Sequence, residues 1–102
     1  MIVYIAGKIA GDPDYRDKFA AAAAELERAG HIVLNPAVLP AGLTDAAYMH
    51  ITLAMIDAAD LVALLPGWQC SPGARLEYDY CRYTGKPHRA LMEVLGCVQQ
   101  NV

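Results

Sequence analysis

Positive charge is scarce in this sequence of 102 residues, which holds eight Lys and Arg residues against eleven Asp and Glu residues. The eight basic residues form no cluster, and the formal net charge is -3. A nucleic-acid polymer is bound through a basic patch, so this composition argues against a polymer as the partner. A single nucleotide needs only a local anion site, which the net charge does not exclude.

Long apolar runs and metal-ligand spacings are also missing. No run approaches the ~20 residues that a membrane-spanning helix needs, so no membrane partner is predicted. The first residues, MIVYIAGKIAG, lack the basic and apolar regions of a signal peptide and are typical of a first strand. Three cysteines without C-x-x-C spacing and three scattered histidines predict neither a metal nor another cofactor. Free thiols favour a reducing, cytoplasmic location.

Apolar strands alternating with amphipathic helices are what the sequence contains instead. Of its residues, 56% are hydrophobic and 19% are charged, which is typical of one globular domain over residues 1–102. Short β-branched and apolar runs predict strands at 2–6, 31–36, 60–65 and 88–94. Cap residues and helical spacing predict helices at 13–29 and 45–58, and a third that begins at Pro72 and ends near the TGKP stretch.

The alternation predicts a flavodoxin-like α/β fold with helices on both faces of a parallel sheet. The expected strand order is 2-1-3-4, with a fifth strand left open. The spacing of apolar residues also predicts which helix residues are buried. In the first helix these are Tyr15, Phe19, Ala22, Ala23, Leu26 and Ala29, and in the second they are Ala47, Ile51, Ala54, Met55 and Ala58.

In this topology a ligand binds beyond the carboxyl ends of strands 1 and 3, where two loops meet. The first loop, GKIAG, has Gly7 and Gly11, which allow close backbone approach or positive φ. It matches no dinucleotide or phosphate-loop pattern, so an ordinary tight turn is an equal interpretation. The second loop holds Trp68, which is placed either to stack on a base or to cover the helix start.

The start of the third helix is a candidate anion site. Ser71 and Gly73 leave the first backbone N–H groups of that helix free for a phosphate or carboxylate. The more common use of such a serine is a plain N-cap, and both interpretations stay open.

Glu77 lies one helical turn after Gly73, and its carboxylate can lean back toward the helix start. Tyr4, on the first strand, is expected beside it and can orient the carboxylate. A carboxylate held in this way can attack an anomeric carbon and form a covalent sugar ester. The alternative is a solvated helix glutamate paired with Arg or Lys.

Taken together, the stretches YIAGKIAG, GHIVLNPA, MIDAADLVALLPGW and SPGA followed by Glu77 resemble the nucleoside 2-deoxyribosyltransferase-like superfamily. The likeness is to its short branch of uncharacterised bacterial and phage proteins, and it covers about residues 1–88. It implies cleavage of the N-glycosidic bond of a nucleoside or nucleotide, with Glu77 as nucleophile and Tyr4 as its support. It also implies that Ser71 contacts a 5′-phosphate and that the first loop, with Gly7, Lys8, Ile9 and Gly11, cradles the sugar phosphate.

One position departs from the pattern that the resemblance implies. Members of the superfamily carry an Asp on the second helix, eight residues before the Asp that starts strand 3. Here that position is Thr52, which cannot act as a general acid at neutral pH.

The sequence therefore supports two main functional hypotheses. The first is a deoxyribosyltransferase or a deoxynucleoside-monophosphate N-glycosidase that uses Glu77. The alternative is a non-catalytic nucleotide-binding sensor or sequestering protein, and a third interpretation is a purely structural domain. An exposed parallel edge also predicts a homodimer or a larger homo-oligomer.

Overall fold

A computed structural model of the protein describes the backbone of residues 1–100 and the side chains of residues 1–96. Its elements, in chain order, are β1 (Ile2–Ala6), α1 (Tyr15–Arg28), β2 (Ile32–Leu34), α2 (Asp45–Ala58), β3 (Leu61–Leu64), α3 (Pro72–Thr84), β4 (His88–Ala90) and α4 (Leu91–Gln100). Two short 3-10 turns, Pro36–Val38 and Trp68–Cys70, follow β2 and β3. No helix among the described residues is long and apolar enough to cross a membrane.

The four strands form one parallel sheet in the order β2-β1-β3-β4, which confirms the predicted flavodoxin-like arrangement. In its register Tyr4 of β1 lies between Leu34 of β2 and Val62 of β3. The carboxyl ends of β1 and β3 are therefore side by side, at the predicted switch point.

Helices cover both faces of the sheet, because alternate strand residues point to opposite sides. Val3, Ile5 and Ala63 pack into one cluster with α1 and the start of α4. Tyr4 and Val62 pack into the other cluster with α2 and α3. The central strands are therefore apolar on both faces, as their sequence without polar alternation predicts.

Helix α1 begins two residues later than predicted. The carboxylate of Asp12 accepts a hydrogen bond from the Asp14 N–H at 2.9 Å and pairs with the Lys18 ammonium at 2.8 Å. This local bonding holds residues 12–14 in a turn, so Asp12 does not cap a helix that starts at Pro13. The helix ends at Arg28, and Gly30 follows with a φ of 95°.

Helix α2 has the predicted bounds, and the Thr44 hydroxyl caps it by accepting from the Ala47 N–H at 3.1 Å. The predicted buried stripe was wrong at three of its five residues, whereas Ala47 and Met55 are half-buried and Met55 packs on the core. Thr52 and Ile56 are buried, whereas Ile51 is 38% exposed. Ala54 and Ala58, also predicted to be buried, are exposed as well. Because this helix is apolar on nearly every side, helical spacing alone could not identify the side that faces the sheet.

The buried face predicted for α1 agrees with the structure better than the one predicted for α2. In α1, Phe19, Ala22 and Leu26 are buried as expected. Ala29 is exposed, because the helix has already ended before it.

The predicted strand at 88–94 was wrong beyond Ala90, because the chain turns there into α4. Leu91, Val94 and Leu95 recur at helical spacing and pack on the cluster formed with α1. The Glu93 carboxylate also accepts a hydrogen bond from the Ala90 N–H at 3.0 Å, which is half of a capping box. Within residues 1–100 the sheet has four strands and no fifth.

Helix α3 is capped as predicted, from Ser71 and Pro72 to Gly85. Gly85 has a φ of 78°, whereas Gly96 lies inside α4 with no atom of the described residues within 4 Å of an added Cβ. We therefore expect Gly85→Ala to lower the free energy of unfolding by about 1 kcal/mol through backbone strain. The matched change Gly96→Ala should raise it by about 0.5–1 kcal/mol, because alanine is the better helix former. Urea unfolding of both variants measures the pair, and a stabilising Gly85→Ala would contradict the strained geometry.

Candidate functional site

A buried carboxylate and a buried phenol meet on the α2–α3 side of the sheet. The Tyr4 hydroxyl donates a hydrogen bond to Glu77 Oε2 at 2.8 Å. Glu77 is only 6% exposed and Tyr4 only 1%. The prediction that Tyr4 lies beside Glu77 is confirmed, and the alternative of a solvated helix glutamate is wrong.

Burial raises the pKa of Glu77 above its ordinary value, since a charged carboxylate is costly away from water. Hydrogen bonds from Tyr4 and Thr52 act in the opposite direction and favour the ionised carboxylate. The pKa of Tyr4 is raised well above its usual value by burial and then by the negative charge of Glu77. Tyr4 therefore stays protonated and acts as a hydrogen-bond donor at neutral pH.

Two further side chains surround this pair. Thr52, on α2, is 6% exposed and donates a long hydrogen bond of 3.4 Å to the Met49 carbonyl. Its hydroxyl also lowers the pKa values of Glu77 and Tyr4 and so favours the charged form of each. Cys81 lies one turn after Glu77 on α3, and burial, followed by the Glu77 charge, raises the pKa of its thiol to about 11. Cys81 is thus a neutral neighbour and not a second nucleophile.

The start of α3 lies one turn before Glu77. Ser71 is buried, and its Oγ accepts a hydrogen bond from the Ala74 N–H at 3.2 Å. The plain N-cap interpretation of Ser71 is therefore confirmed, and the hydroxyl hydrogen is still able to donate to a ligand. An added Cβ on Gly73 would lie 3.9 Å from Ser71 Oγ and 4.0 Å from Met49 Cε.

The loops after β1 and β3 meet at the switch point, as predicted. A cavity of about 710 Å³ opens there and is lined on one side by Lys8 and Gly11 and on the other by Gly67 and Cys70. This volume is within the range of small-molecule sites. Its lining includes Phe19 of α1 and Leu91 of α4, whereas Glu77 lines neither this cavity nor its smaller neighbour. The residues that the sequence predicts to form one site therefore lie on two faces of the sheet. Glu77 is on the α2–α3 side, and the cavity is on the side of α1 and α4.

The other residues predicted in the first loop have structural contacts. Gly7 lies so close to β3 that an added Cβ would be 3.0 Å from Leu65 Cβ and from Leu65 Cδ1. The Ile9 side chain packs against the cluster that contains Phe19 and Leu65. Gly11 has a φ of 81°, which favours glycine at that position. Of these residues, Gly11 faces the cavity together with Lys8.

Trp68 stacks on Tyr78 of α3, with ring centroids 4.4 Å apart and planes 29° apart. Tyr78 in turn meets the His88 ring edge-on at 5.1 Å. Trp68 therefore covers the first turns of α3, as one of the two sequence interpretations expects. Its side chain also lines a second cavity of about 160 Å³, which shares Leu65 and Leu91 with the larger one.

A family model described as "Domain of unknown function (DUF4406)" matches residues 1–88. The chain belongs to the DUF4406 family. No curated protein matches the chain. The matched part of this DUF4406 protein contains Tyr4, Thr52, Ser71 and Glu77, and it ends where β4 begins. The family description names no activity and no nucleoside deoxyribosyltransferase, so that resemblance stays a prediction.

In this DUF4406 protein, sequence reasoning missed Cys81 as a neighbour of Glu77, and it missed Met49 as a neighbour of Thr52 and Gly73. Cys81 was detectable, because it lies four residues after Glu77 and so shares its face of α3. Met49 had no such signal, since contact between α2 and α3 is a tertiary feature. Among the residues that the structure describes, no group of three or more His, Cys, Asp or Glu side chains could hold a metal ion. Cys70 and Cys81 are free thiols, and the Cys97 side chain lies outside the described residues.

Proposed function

We propose that this protein cleaves the N-glycosidic bond of a deoxynucleoside or a deoxynucleoside monophosphate, with Glu77 as the nucleophile. The observation that carries the proposal is the buried Glu77 carboxylate held by the Tyr4 hydroxyl at 2.8 Å. A titratable group with a raised pKa and a specific partner, buried beside a helix start, is typical of a functional site. The sequence resemblance to the nucleoside 2-deoxyribosyltransferase-like superfamily supports the same assignment.

In the proposed reaction a Glu77 oxygen attacks the anomeric carbon of the sugar. The bond between that carbon and the base nitrogen breaks, and its electron pair leaves with the base. Water then cleaves the sugar ester in a hydrolase, or a second base takes the sugar in a transferase. Tyr4 orients the carboxylate oxygen and keeps it charged by donating to it.

The departing base receives no proton from Thr52, whose hydroxyl is not acidic at neutral pH. A base that leaves readily as an anion, or that carries its own proton, should therefore be cleaved faster than one that needs a general acid. This expectation sets the order of substrates to try.

The activity is tested by incubating the protein with a panel of deoxynucleosides and their monophosphates and following free base by chromatography. Release of base identifies a glycosidase, and formation of a new nucleoside when a second base is added identifies a transferase. Binding of a nucleotide without release of base from any substrate would contradict the catalytic proposal.

The second candidate is a nucleotide-binding protein without turnover. It is favoured by the cavity of about 710 Å³ at the switch point, which is lined by Lys8 and not by Glu77. On this alternative the nucleotide binds between the two loops, and Glu77 is only a buried structural group. The chromatographic panel separates the two candidates when it is combined with a binding measurement on the same ligands.

If a 5′-phosphate is bound at the switch point, monophosphates should bind more tightly than the matching nucleosides. Lys8 supplies a cation on the cavity wall, whereas Ser71, which lines neither cavity, supplies a separate hydroxyl donor at the start of α3. Each bond to a charged phosphate contributes about 1.5–3 kcal/mol before desolvation costs. Isothermal titration of both ligand classes measures the difference in binding free energy.

Two variants show how much Lys8 and Ser71 each contribute to the difference in binding free energy between monophosphates and nucleosides. Lys8→Ala should shrink it without changing stability, whereas Ser71→Ala should shrink it and also remove about 1 kcal/mol of N-cap stabilisation. Arg28→Ala, at the opposite end of α1, is the matched loss of a cation away from the cavity. Equal binding of nucleosides and monophosphates to the wild-type protein would limit Ser71 to its capping role.

The predicted homodimer stays a prediction. Its clearest support is apolar surface on the α2–α3 layer, where Ile51, Leu76 and Tyr83 are exposed. Light scattering coupled to size-exclusion chromatography measures the mass of the assembly, and a monomer at all concentrations would contradict the prediction.

A further inference from the structure

The thioether of Met49 lies beside Thr52 and the first turn of α3, which precedes Glu77. Its Sδ is 3.7 Å from Thr52 Oγ1, and its Cε is 4.0 Å from the position of a Cβ added to Gly73. Gly73 lies one helical turn before Glu77 on α3, and the buried Thr52 hydroxyl lowers the pKa of Glu77. Met49 therefore bridges α2 and the start of α3 next to the buried carboxylate.

The direction of the side chains supports this placement. Helix side chains lean toward the N-terminus of their helix, so the Glu77 carboxyl points back toward Gly73. The Met49 methyl group is at that same turn. Glu77 is 6% exposed although it lies only one turn beyond Gly73, the residue that the Met49 methyl group approaches.

We propose that Met49 is a removable cover over the Glu77 carboxylate and limits which molecules reach it. The Met49 side chain is half-buried, and its sulfur meets the Thr52 hydroxyl at 3.7 Å. Methionine has three rotatable side-chain bonds and adapts to several packings, so it can swing aside at low cost. As a limit on substrate entry the proposal rests on the proposed function, whereas as a cover of the carboxylate it stands on these contacts alone.

The test measures access to Glu77 directly and needs no turnover. A carbodiimide with a small amine labels carboxyl groups, and mass spectrometry of peptides reports the rate at Glu77 against exposed carboxylates such as Asp79 in the same sample. Glu77 in the wild-type protein should be labelled slowly. Met49→Ala should increase that rate at least about tenfold, as expected if the cover costs ~1.4 kcal/mol to displace. Met49→Leu, which keeps a side chain of similar size, should stay close to the wild-type rate.

Met55→Ala is the matched control. Met55 is a partly buried methionine on the same helix, and it packs on the cluster that contains Tyr4. In this variant the labelling rate of Glu77 should remain within about twofold of the wild-type rate if the effect is local.

Met49→Ser removes the cover in a second way, in case the alanine variant unfolds. Circular dichroism monitors the fold of each variant. Equal labelling of the wild-type, Met49→Ala and Met49→Ser proteins would overturn the proposal. Equal acceleration in Met55→Ala would also overturn it, because general loosening would then explain the result. Absence of glycosidase activity would leave the labelling result unchanged, so the two proposals fail separately.

Discussion

Glu77→Gln should abolish release of free base while the protein remains folded. The amide keeps the shape of the side chain and can still accept from the Tyr4 hydroxyl, but it cannot form the sugar ester. Loss of a covalent nucleophile should lower the rate by about a thousandfold or more. The measurement is base release under single-turnover conditions, with folding checked by circular dichroism. A variant with near wild-type turnover would end the covalent mechanism.

The same variant has a pH-dependent effect on stability, whose sign follows from burial. The pKa of Glu77 in the folded protein is raised from its ordinary value of 4.5. The folded state therefore binds this proton more tightly than the unfolded state. Wild-type stability relative to Glu77→Gln should be highest below pH 4.5 and should fall as the pH rises through the raised pKa. Urea unfolding at several pH values measures the difference, and a difference that grows with pH would contradict the burial argument.

Tyr4→Phe should move the acidic side of the pH–rate profile to higher pH and lower the rate at neutral pH. The Tyr4 hydroxyl stabilises the Glu77 carboxylate, so its removal raises the pKa of that carboxyl further. A lost hydrogen bond to a charged group is worth about 1.5–3 kcal/mol, which corresponds to a shift of about one to two pH units. The profile of kcat/KM against pH measures the shift.

Tyr80→Phe is the matched control for this change. The Tyr80 hydroxyl also donates to a carboxylate, Asp57, at 2.6 Å, but this pair is solvent-exposed and makes no hydrogen bond to Glu77. The control should leave the profile unchanged. An unshifted profile in Tyr4→Phe would mean that the Glu77 carboxylate does not depend on this donor, and it would remove Tyr4 from the mechanism.

Sequence patterns predicted the sheet and the pair at its centre well, because both depend on strong local signals. The apolar runs of β1 and β3 place Tyr4 on a central strand, and Ser71 and Pro72 fix the start of α3. From that start, helical spacing alone places Glu77 one turn along. The pair was therefore predictable before any tertiary contact was known.

The parts that were not predictable depend on contacts between elements. On α2, Ile51 and Thr52 are neighbours, and an apolar pattern favours burying Ile51. The structure buries the polar Thr52 instead, and its hydroxyl finds a hydrogen-bond acceptor in the Met49 carbonyl. Similarly, Leu91, Met92 and Val94 are apolar residues whose spacing fits a strand as well as a helix. Packing on α1 and the Glu93 cap select the helix.

The parallel sheet also keeps the residues near the cavity apart from the residues near Glu77, so the two groups can change separately during evolution. Val3 and Ile5 face the side of α1 and the switch-point cavity, whereas Tyr4 and Ala6 face the side of Glu77. Substitutions on the two sides share few partners, so their effects should combine almost additively. A lineage could therefore remodel the cavity wall on α1 and α4 for a new ligand while the buried carboxylate stays as it is. In a library of variants, the substitutions that β1 tolerates should therefore alternate from one residue to the next. Selection for a new ligand should act on Val3 and Ile5, whereas selection for the chemistry of Glu77 should act on Tyr4 and Ala6.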